Sequence, residues 1–205
     1  MVGDIMKVLD CRGLTCPKPV ILTKKEVEGQ DFDELQIIVD NKASKENVAK
    51  YLKSANVAFD VEEKDGLYYF YAKKDGDLKK VEEPIVCSIS NAEIDTSLTY
   101  IISTDKMGLG DDKLGSMLMK SFIYSLTEIS QKPGTIIFLN SGVFLTTEGS
   151  DVLDSLKKLE ELGVEILSCG TCLDFYNLKE KLVVGTVTNM YTIVEKMNST
   201  KTIKI

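Results

Sequence analysis

Four of the five cysteines in this 205-residue chain stand in two close pairs, Cys11 with Cys16 and Cys169 with Cys172, and the chain has no histidine. Cys87 stands alone. Without histidine no Ser-His-Asp triad, Cys-His pair or His-ligated metal centre can be built. Thiols are therefore the leading candidates for chemistry, since the thiolate is both nucleophile and sulfur acceptor. An odd cysteine count, with no secretory signal in Met1 to Asp10, argues against a structural disulfide framework.

The segment from Leu9 to Val20, LDCRGLTCPKPV, carries the stronger signal. A strand is expected to end near Cys11. Gly13 permits a tight turn, and Cys16 then falls at or just before a helix N-terminus. Pro17 suits the first helical position, where its missing N–H would lack a partner anyway. Pro19 still lies in the first turn, where the same reasoning holds. The two prolines fix the helix start and set Cys16 against unpaired N–H groups and the positive end of the helix. Arg12, Lys18, Lys24 and Lys25 add positive charge nearby in sequence. Such a setting favours a thiolate, and a thiolate that takes up a sulfane sulfur needs no general base.

The second pair, Cys169-Gly170-Thr171-Cys172, directly follows an expected strand. In doubly wound sheets, ligands gather at the carboxyl ends of strands, so the position suits a site. The C-x-x-C spacing alone is less specific, being shared by redox enzymes and zinc sites. The sequence from Leu173 to Tyr176 is a weak helix start, unlike a thioredoxin-type site that opens a helix.

The elements that must position these thiols are legible as hydrophobic pattern. Residues 1–74 alternate as β-α-β-α-β-β. Strands are expected at 7–11, 35–39, 57–63 and 67–72, and helices at 17–28 and from a cap at Ser44 to about 55, with Lys64-Asp65-Gly66 as a hairpin turn. Both helices would cover one face of the sheet, giving a two-layer α/β sandwich. Residues 75–98 are acidic, contain Pro84 and form the expected linker, of which 85–89 could still pair as an edge strand. Residues 99–205 alternate again. Strands are expected at 99–103, 135–139, 164–167, 183–188 and 202–205. One helix opens at Asp111 or Asp112, runs to about Ser130 with Leu114, Leu118, Phe122, Leu126 and Ile129 on its core stripe, and is stopped by Pro133-Gly134. A second is capped by Ser150 and ends at Gly163, and a third lies near 191–197. This is a doubly wound, mostly parallel α/β domain.

The stretch Asp10-x-Arg12-Gly13-x-x-Cys16-Pro17-x-Pro19 resembles the TusA/SirA sulfur-carrier family over about residues 6–73, and the β-α-β-α-β-β order is that family's sandwich. The resemblance implies that Cys16 carries a persulfide, with Arg12, Gly13, Pro17 and Pro19 shaping its surroundings. Cys11 is an addition to the minimal motif. It is open to two readings: a thiol that resolves the persulfide by forming a disulfide with Cys16, or a strand residue with no chemical role. Residues 98–205 resemble the DsrE-like family through Asn140-Ser141-Gly142-Val143 and through Leu162-Gly163-Val164 up to the C-x-x-C. That resemblance implies Cys169 or Cys172 as a second sulfur acceptor, with Cys169 favoured as nearer the strand end. The two domains in series resemble the YedF-type fusion, a group linked with selenium metabolism, so selenium is an alternative cargo.

Composition bounds the partners. Hydrophobic residues are 43% and charged residues 28% of the chain, and the net charge is −7. The acidity is concentrated in residues 75–98, which hold 2 basic and 6 acidic groups. No basic face for nucleic acid is expected, nor any membrane span, and the location expected is the cytoplasm. Gly108-Leu109-Gly110 before Asp111 and Asp112 lacks a third glycine, and its acids would repel a pyrophosphate, so no nucleotide, cofactor or metal is expected. The Tyr68-Tyr69-Phe70-Tyr71 run is expected as strand packing. The leading reading is a sulfur or selenium relay with a cysteine desulfurase or other persulfide donor upstream, an acceptor protein downstream, and self-association. The competing readings are a C-x-x-C dithiol oxidoreductase and a non-enzymatic metal-binding or regulatory interaction module.

Overall fold

The computed structural model describes residues 6–29, 32–73 and 93–205. These fall into two compact units, one holding residues 6–73 and the other residues 93–205. Cys87 and most of the expected linker lie outside the described residues. Both units are α/β, the first on a four-stranded mixed sheet and the second on a five-stranded parallel sheet.

The first unit runs β1 (Met6–Asp10), α1 (Lys18–Gly29), β2 (Glu34–Val39), α2 (Lys42–Ser54), β3 (Ala58–Lys64) and β4 (Leu67–Lys73). The strand order is β1-β2-β4-β3, with β1 and β2 parallel and the other pairings antiparallel. Asp65 and Gly66 both have positive φ, at 54° and 76°, which suits the twist of a two-residue hairpin loop. Leu35, Ile37 and Val39 of β2 and Phe70 of β4 point to one face and pack with Val48 and Leu52 of α2. The aromatic run is thus strand packing, with Phe70 inward.

One local expectation changes here. Asn41, not Ser44, caps α2: its Oδ1 accepts from the Ser44 N–H at 2.8 Å, because Lys42 and Ala43 already form the first turn. The fully buried line of α1 is Pro19 and Thr23. Thr23 enters the core because its hydroxyl donates to the Pro19 carbonyl at 2.8 Å, four residues back, which leaves no polar group unpaired.

The second unit runs β5 (Glu93–Ile102), α3 (Asp112–Glu128), β6 (Gln131–Phe138), a 3-10 segment (Asn140–Thr146), α4 (Leu153–Glu161), β7 (Glu165–Cys169), α5 (Gly170–Phe175), a short 3-10 turn (Lys179–Lys181), β8 (Thr186–Thr188), α6 (Met190–Ser199) and β9 (Lys201–Lys204). The order is β8-β7-β6-β5-β9, so the chain runs outward from β5 and then returns to its other side. One face of the sheet packs Ile102, Ile136, Phe138 and Ile166 against Met119 and Ile123 of α3 and Leu156 and Leu159 of α4. The opposite face packs Ile101, Ile137, Leu167 and Cys169 against Ile193 of α6.

Several expectations for this unit are corrected. β5 begins at Glu93, inside the segment expected as linker. Pro133 and Gly134 do not end α3; they lie within β6. The glycine is needed because β5 bulges between Asp95 and Thr99, and a Cβ at 134 would stand 2.7 Å from the Thr96 Cα. The core stripe of α3 is Gly115, Met119, Ile123, Leu126 and Thr127, whereas Leu114 and Leu118 are exposed. Gly115 turns the helix this way: it lies against Lys106 and Met107, and its carbonyl accepts the Met107 N–H at 3.0 Å. Asp111 caps α3 as expected, accepting from the Leu114 N–H at 2.9 Å, but Asp112 pairs with Lys106 at 2.7 Å instead. Ser150 stands ahead of α4, whose capping residue is Val152 with no side-chain bond. Gly163 follows α4 with φ 99°, the left-handed end expected of it. The C-x-x-C does open a helix, the six-residue α5, with Cys169 as its cap.

Candidate functional site

Cys16 lies on the loop between β1 and α1, with its side chain exposed. The Lys18 N–H donates to the Thr15 carbonyl at 3.0 Å, and the first helical bond runs from the Ile21 N–H to the Pro17 carbonyl at 3.2 Å. Pro17 therefore stands at the cap, one position earlier than expected, and Cys16 just outside it. The Cys16-Pro17 peptide is cis. Asn47, on α2, presents its amide 3.8 Å from the Cys16 sulfur. The two helix starts and the ends of the parallel strands β1 and β2 thus share one edge of the sheet, and that edge displays the thiol.

The loop is pinned by charge. Arg12 grips the Asp10 carboxylate from Nε, at 2.9 and 3.0 Å, and from Nη2, at 2.6 Å, while the Arg12 backbone N–H donates to the same group at 3.1 Å. These bonds hold the Asp10 pKa down at about 2 and raise that of Arg12. Gly13, at φ 72°, donates its N–H to Asp40 at the end of β2, at 2.6 Å. That bond, with one from the Asn41 amide at 3.0 Å, lowers the Asp40 carboxyl. Cys11 points the other way, fully buried in the core beside Leu35 and Val39. Burial, and then the charge of Asp10, push its thiol up to about 11.

The sequence reading assigned Arg12 and Lys24 to the surroundings of the thiol. The structure commits Arg12 to Asp10 and pairs Lys24 with Glu28 at 3.6 Å. The amide of Asn47 is the neighbour that the sequence did not reveal. A polar residue in mid-helix carries no motif, and only the packing of α2 beside α1 brings it to the sulfur. Asp40 was findable in principle, as an acid ending a strand parallel to β1.

In the second unit Cys169 ends β7 with 3% of its surface exposed, while Cys172 is half-buried. Cys169 caps α5, and Cys172 is the third residue of that helix. The backbone N–H of Asn140 donates to the Cys172 sulfur at 3.1 Å. Asn140 is held at φ 49°, in the left-handed region that asparagine tolerates, and its side-chain oxygen accepts from the Tyr176 hydroxyl at 2.9 Å. Asn140, Thr171, Cys172, Phe175 and Tyr176 line an open groove of about 290 Å³. Burial and then the neighbouring Cys169 thiol raise the Cys172 pKa, against the opposing pull of the Asn140 N–H. A second cleft of about 350 Å³ between the start of α4 and α3 is lined by Asp105, Lys120, Glu148 and Asp151 and holds no thiol.

Among the described residues no group of three or more acidic or cysteine side chains is placed to hold a metal ion. Among them, too, no helix is long and apolar enough to cross a membrane.

Residues 7–74 match the family model of sulfurtransferase TusA. The match places a TusA-like domain in the first unit and leaves the second unit outside it. No curated protein matches the chain. Among solved structures, the chain is similar to a SirA-like protein from Desulfitobacterium hafniense, with 26% identity over 34% of this chain and 96% of that one, at a TM-score of 0.31. It is similar to a protein of unknown function from Methanobacterium thermoautotrophicum, with 16% identity over 54% and 100%, at 0.40. It is also similar to the ychN protein from E. coli, with 12% identity over 54% and 100%, at 0.39.

Proposed function

We propose that this chain is a sulfur relay protein in which Cys16 takes up a sulfane sulfur as a persulfide and hands it on. The observation that carries the reading is the placement of an exposed thiol on the β1–α1 loop, inside the segment that matches sulfurtransferase TusA. The Cys16 thiolate attacks the outer sulfur of a donor persulfide. The donor S–S bond breaks, the donor cysteine leaves as a thiolate, and Cys16 holds the S–SH group. No oxidant is consumed, and no general base is required. The Arg12–Asp10 and Gly13–Asp40 contacts hold the loop so that the thiol stays presented to a docking donor.

The donor would be a cysteine desulfurase or another persulfide protein, and the acceptor a second protein or the thiols of residues 99–205. We read those residues as a DsrE-like domain, the chain as a YedF-type fusion, and self-association as part of its working form. Selenium would travel by the same steps, since the attacking thiolate is unchanged. A dithiol oxidoreductase is the second reading, supported by the placement of Cys169 at the cap and Cys172 in the first turn of α5. It predicts reduction of a protein disulfide that persists after Cys16→Ala.

Intact-protein mass spectrometry after incubation with an active cysteine desulfurase and cysteine tests the proposal. The wild type is expected to gain the mass of one sulfur atom, and Cys16→Ala to lose that gain. An unmodified wild type would contradict it.

A further inference from the structure

We propose that the second unit releases bound sulfur reductively: Cys172 accepts a sulfane sulfur, and Cys169 expels it as hydrosulfide by closing a Cys169–Cys172 disulfide. This rests on the relay reading for the source of the sulfur and adds a chemical end-point to it.

Three features of the site assign the roles. Cys172 lines the open groove, whereas Cys169 is almost wholly buried at the strand end, so only Cys172 meets an incoming donor. The Asn140 N–H is aimed at the Cys172 sulfur, where it stabilises the negative charge of the attacking thiolate. Cys169 is the cap of α5, three residues before Cys172. Residues three apart across a helix start are neighbours, and α5 holds them so. Once Cys172 carries a persulfide, the outer sulfur lies about 2 Å further out, one S–S bond length away. The inner sulfur stays within reach of Cys169. Attack there gives a disulfide rather than a second persulfide. The order inverts the preference for Cys169 as acceptor that strand position alone suggests.

The balance closes without an oxidant. The Cys172 thiolate attacks the outer sulfur of a donor R–S–SH, and R–S⁻ departs. The Cys169 thiolate then attacks the Cys172 Sγ, the bond from Sγ to the outer sulfur breaks, and HS⁻ leaves. The two cysteine thiols together lose two electrons, and the sulfane sulfur gains them. A dithiol reductant must reopen the disulfide before another turnover. The same steps on a selenium-bearing donor would release hydroselenide.

The full-length chain is treated with a low-molecular-weight persulfide. Free sulfide is measured, and the cysteine peptides are mapped. One sulfide is expected per Cys169–Cys172 disulfide formed. Cys169→Ser is expected to stop this release and trap a persulfide on Cys172. Cys172→Ser is expected to leave Cys169 unmodified. A stable persulfide on Cys172 of the wild type, with no disulfide, would overturn the proposal. So would a mixed disulfide with the small thiol in the Cys169→Ser trap, or a persulfide on Cys169. The wild-type stoichiometry decides the matter even where a serine variant folds poorly. Persulfide at Cys16, read from its own peptide, tests the relay separately.

Discussion

At the scale of residues, the two thiols near the first helix are opposites. Cys16 is displayed on the loop, and Cys11 is packed in the core with its thiol pushed up to about 11. A neutral-pH alkylating agent is therefore expected to modify Cys16 in the native protein and to spare Cys11 until unfolding; equal labelling of the two would contradict the placement. Because the folded pKa of Cys11 lies above its unfolded value of about 9, the unfolded chain loses a proton first as pH rises. The Cys11 contribution to stability is complete below pH 9 and falls between 9 and 11. Chemical denaturation across that range is expected to show a downward slope, reduced in Cys11→Ala. Asp10 runs in the opposite sense. Its folded pKa of about 2 lies below the ordinary 3.8, so the Arg12 grip is complete above the ordinary value and fades as pH falls from there toward 2. A carboxyl titration followed by NMR is expected to place Asp10 near 2 in the wild type and near the ordinary value in Arg12→Ala.

At the scale of elements, the sequence was most informative where backbone chemistry leaves marks. The Asp65-Gly66 hairpin, the Asp111 cap and the left-handed Gly163 are dictated by local conformation, and the structure has all three. The errors arose where a distant neighbour decides the outcome. Pro133-Gly134 has the composition of a turn, but the bulge in β5 needs a residue without a Cβ beside Thr96, which places the dipeptide inside β6. The leucines of α3 have helical spacing, but the approach of Gly115 to Met107 turns a different stripe inward. The motif around Cys16 was legible because prolines and a glycine mark the loop. Asn47 and Asn140 were not read as partners of sulfur, since each meets its thiol only through the packing of other elements. Gly142 tests how far the second site depends on such packing. A Cβ there would overlap the Ile102 carbonyl oxygen, in the 3-10 segment that also carries Asn140. Gly142→Ala is expected to cost about 1–3 kcal/mol, as overpacking does, and to slow modification of Cys172. Unchanged stability would show that the segment shifts freely.

At the scale of the whole molecule, the core of the first unit shares no residue with either core of the second. Phe70 is fully buried in the first, and Phe70→Ala is expected to cost about 3–5 kcal/mol there. Hydrogen exchange is expected to show lost protection in 6–73 with 93–205 unchanged; loss in both would mean that the units fold as one. The central claim is that sulfur enters at Cys16. The measurement that tests it most directly is the time course of persulfide on each cysteine peptide after mixing the wild type with a sulfur-loaded cysteine desulfurase. The account predicts that the Cys16 peptide is modified first and that Cys16→Ser abolishes later modification at Cys172. Sulfur arriving at Cys172 at the wild-type rate in Cys16→Ser would contradict it.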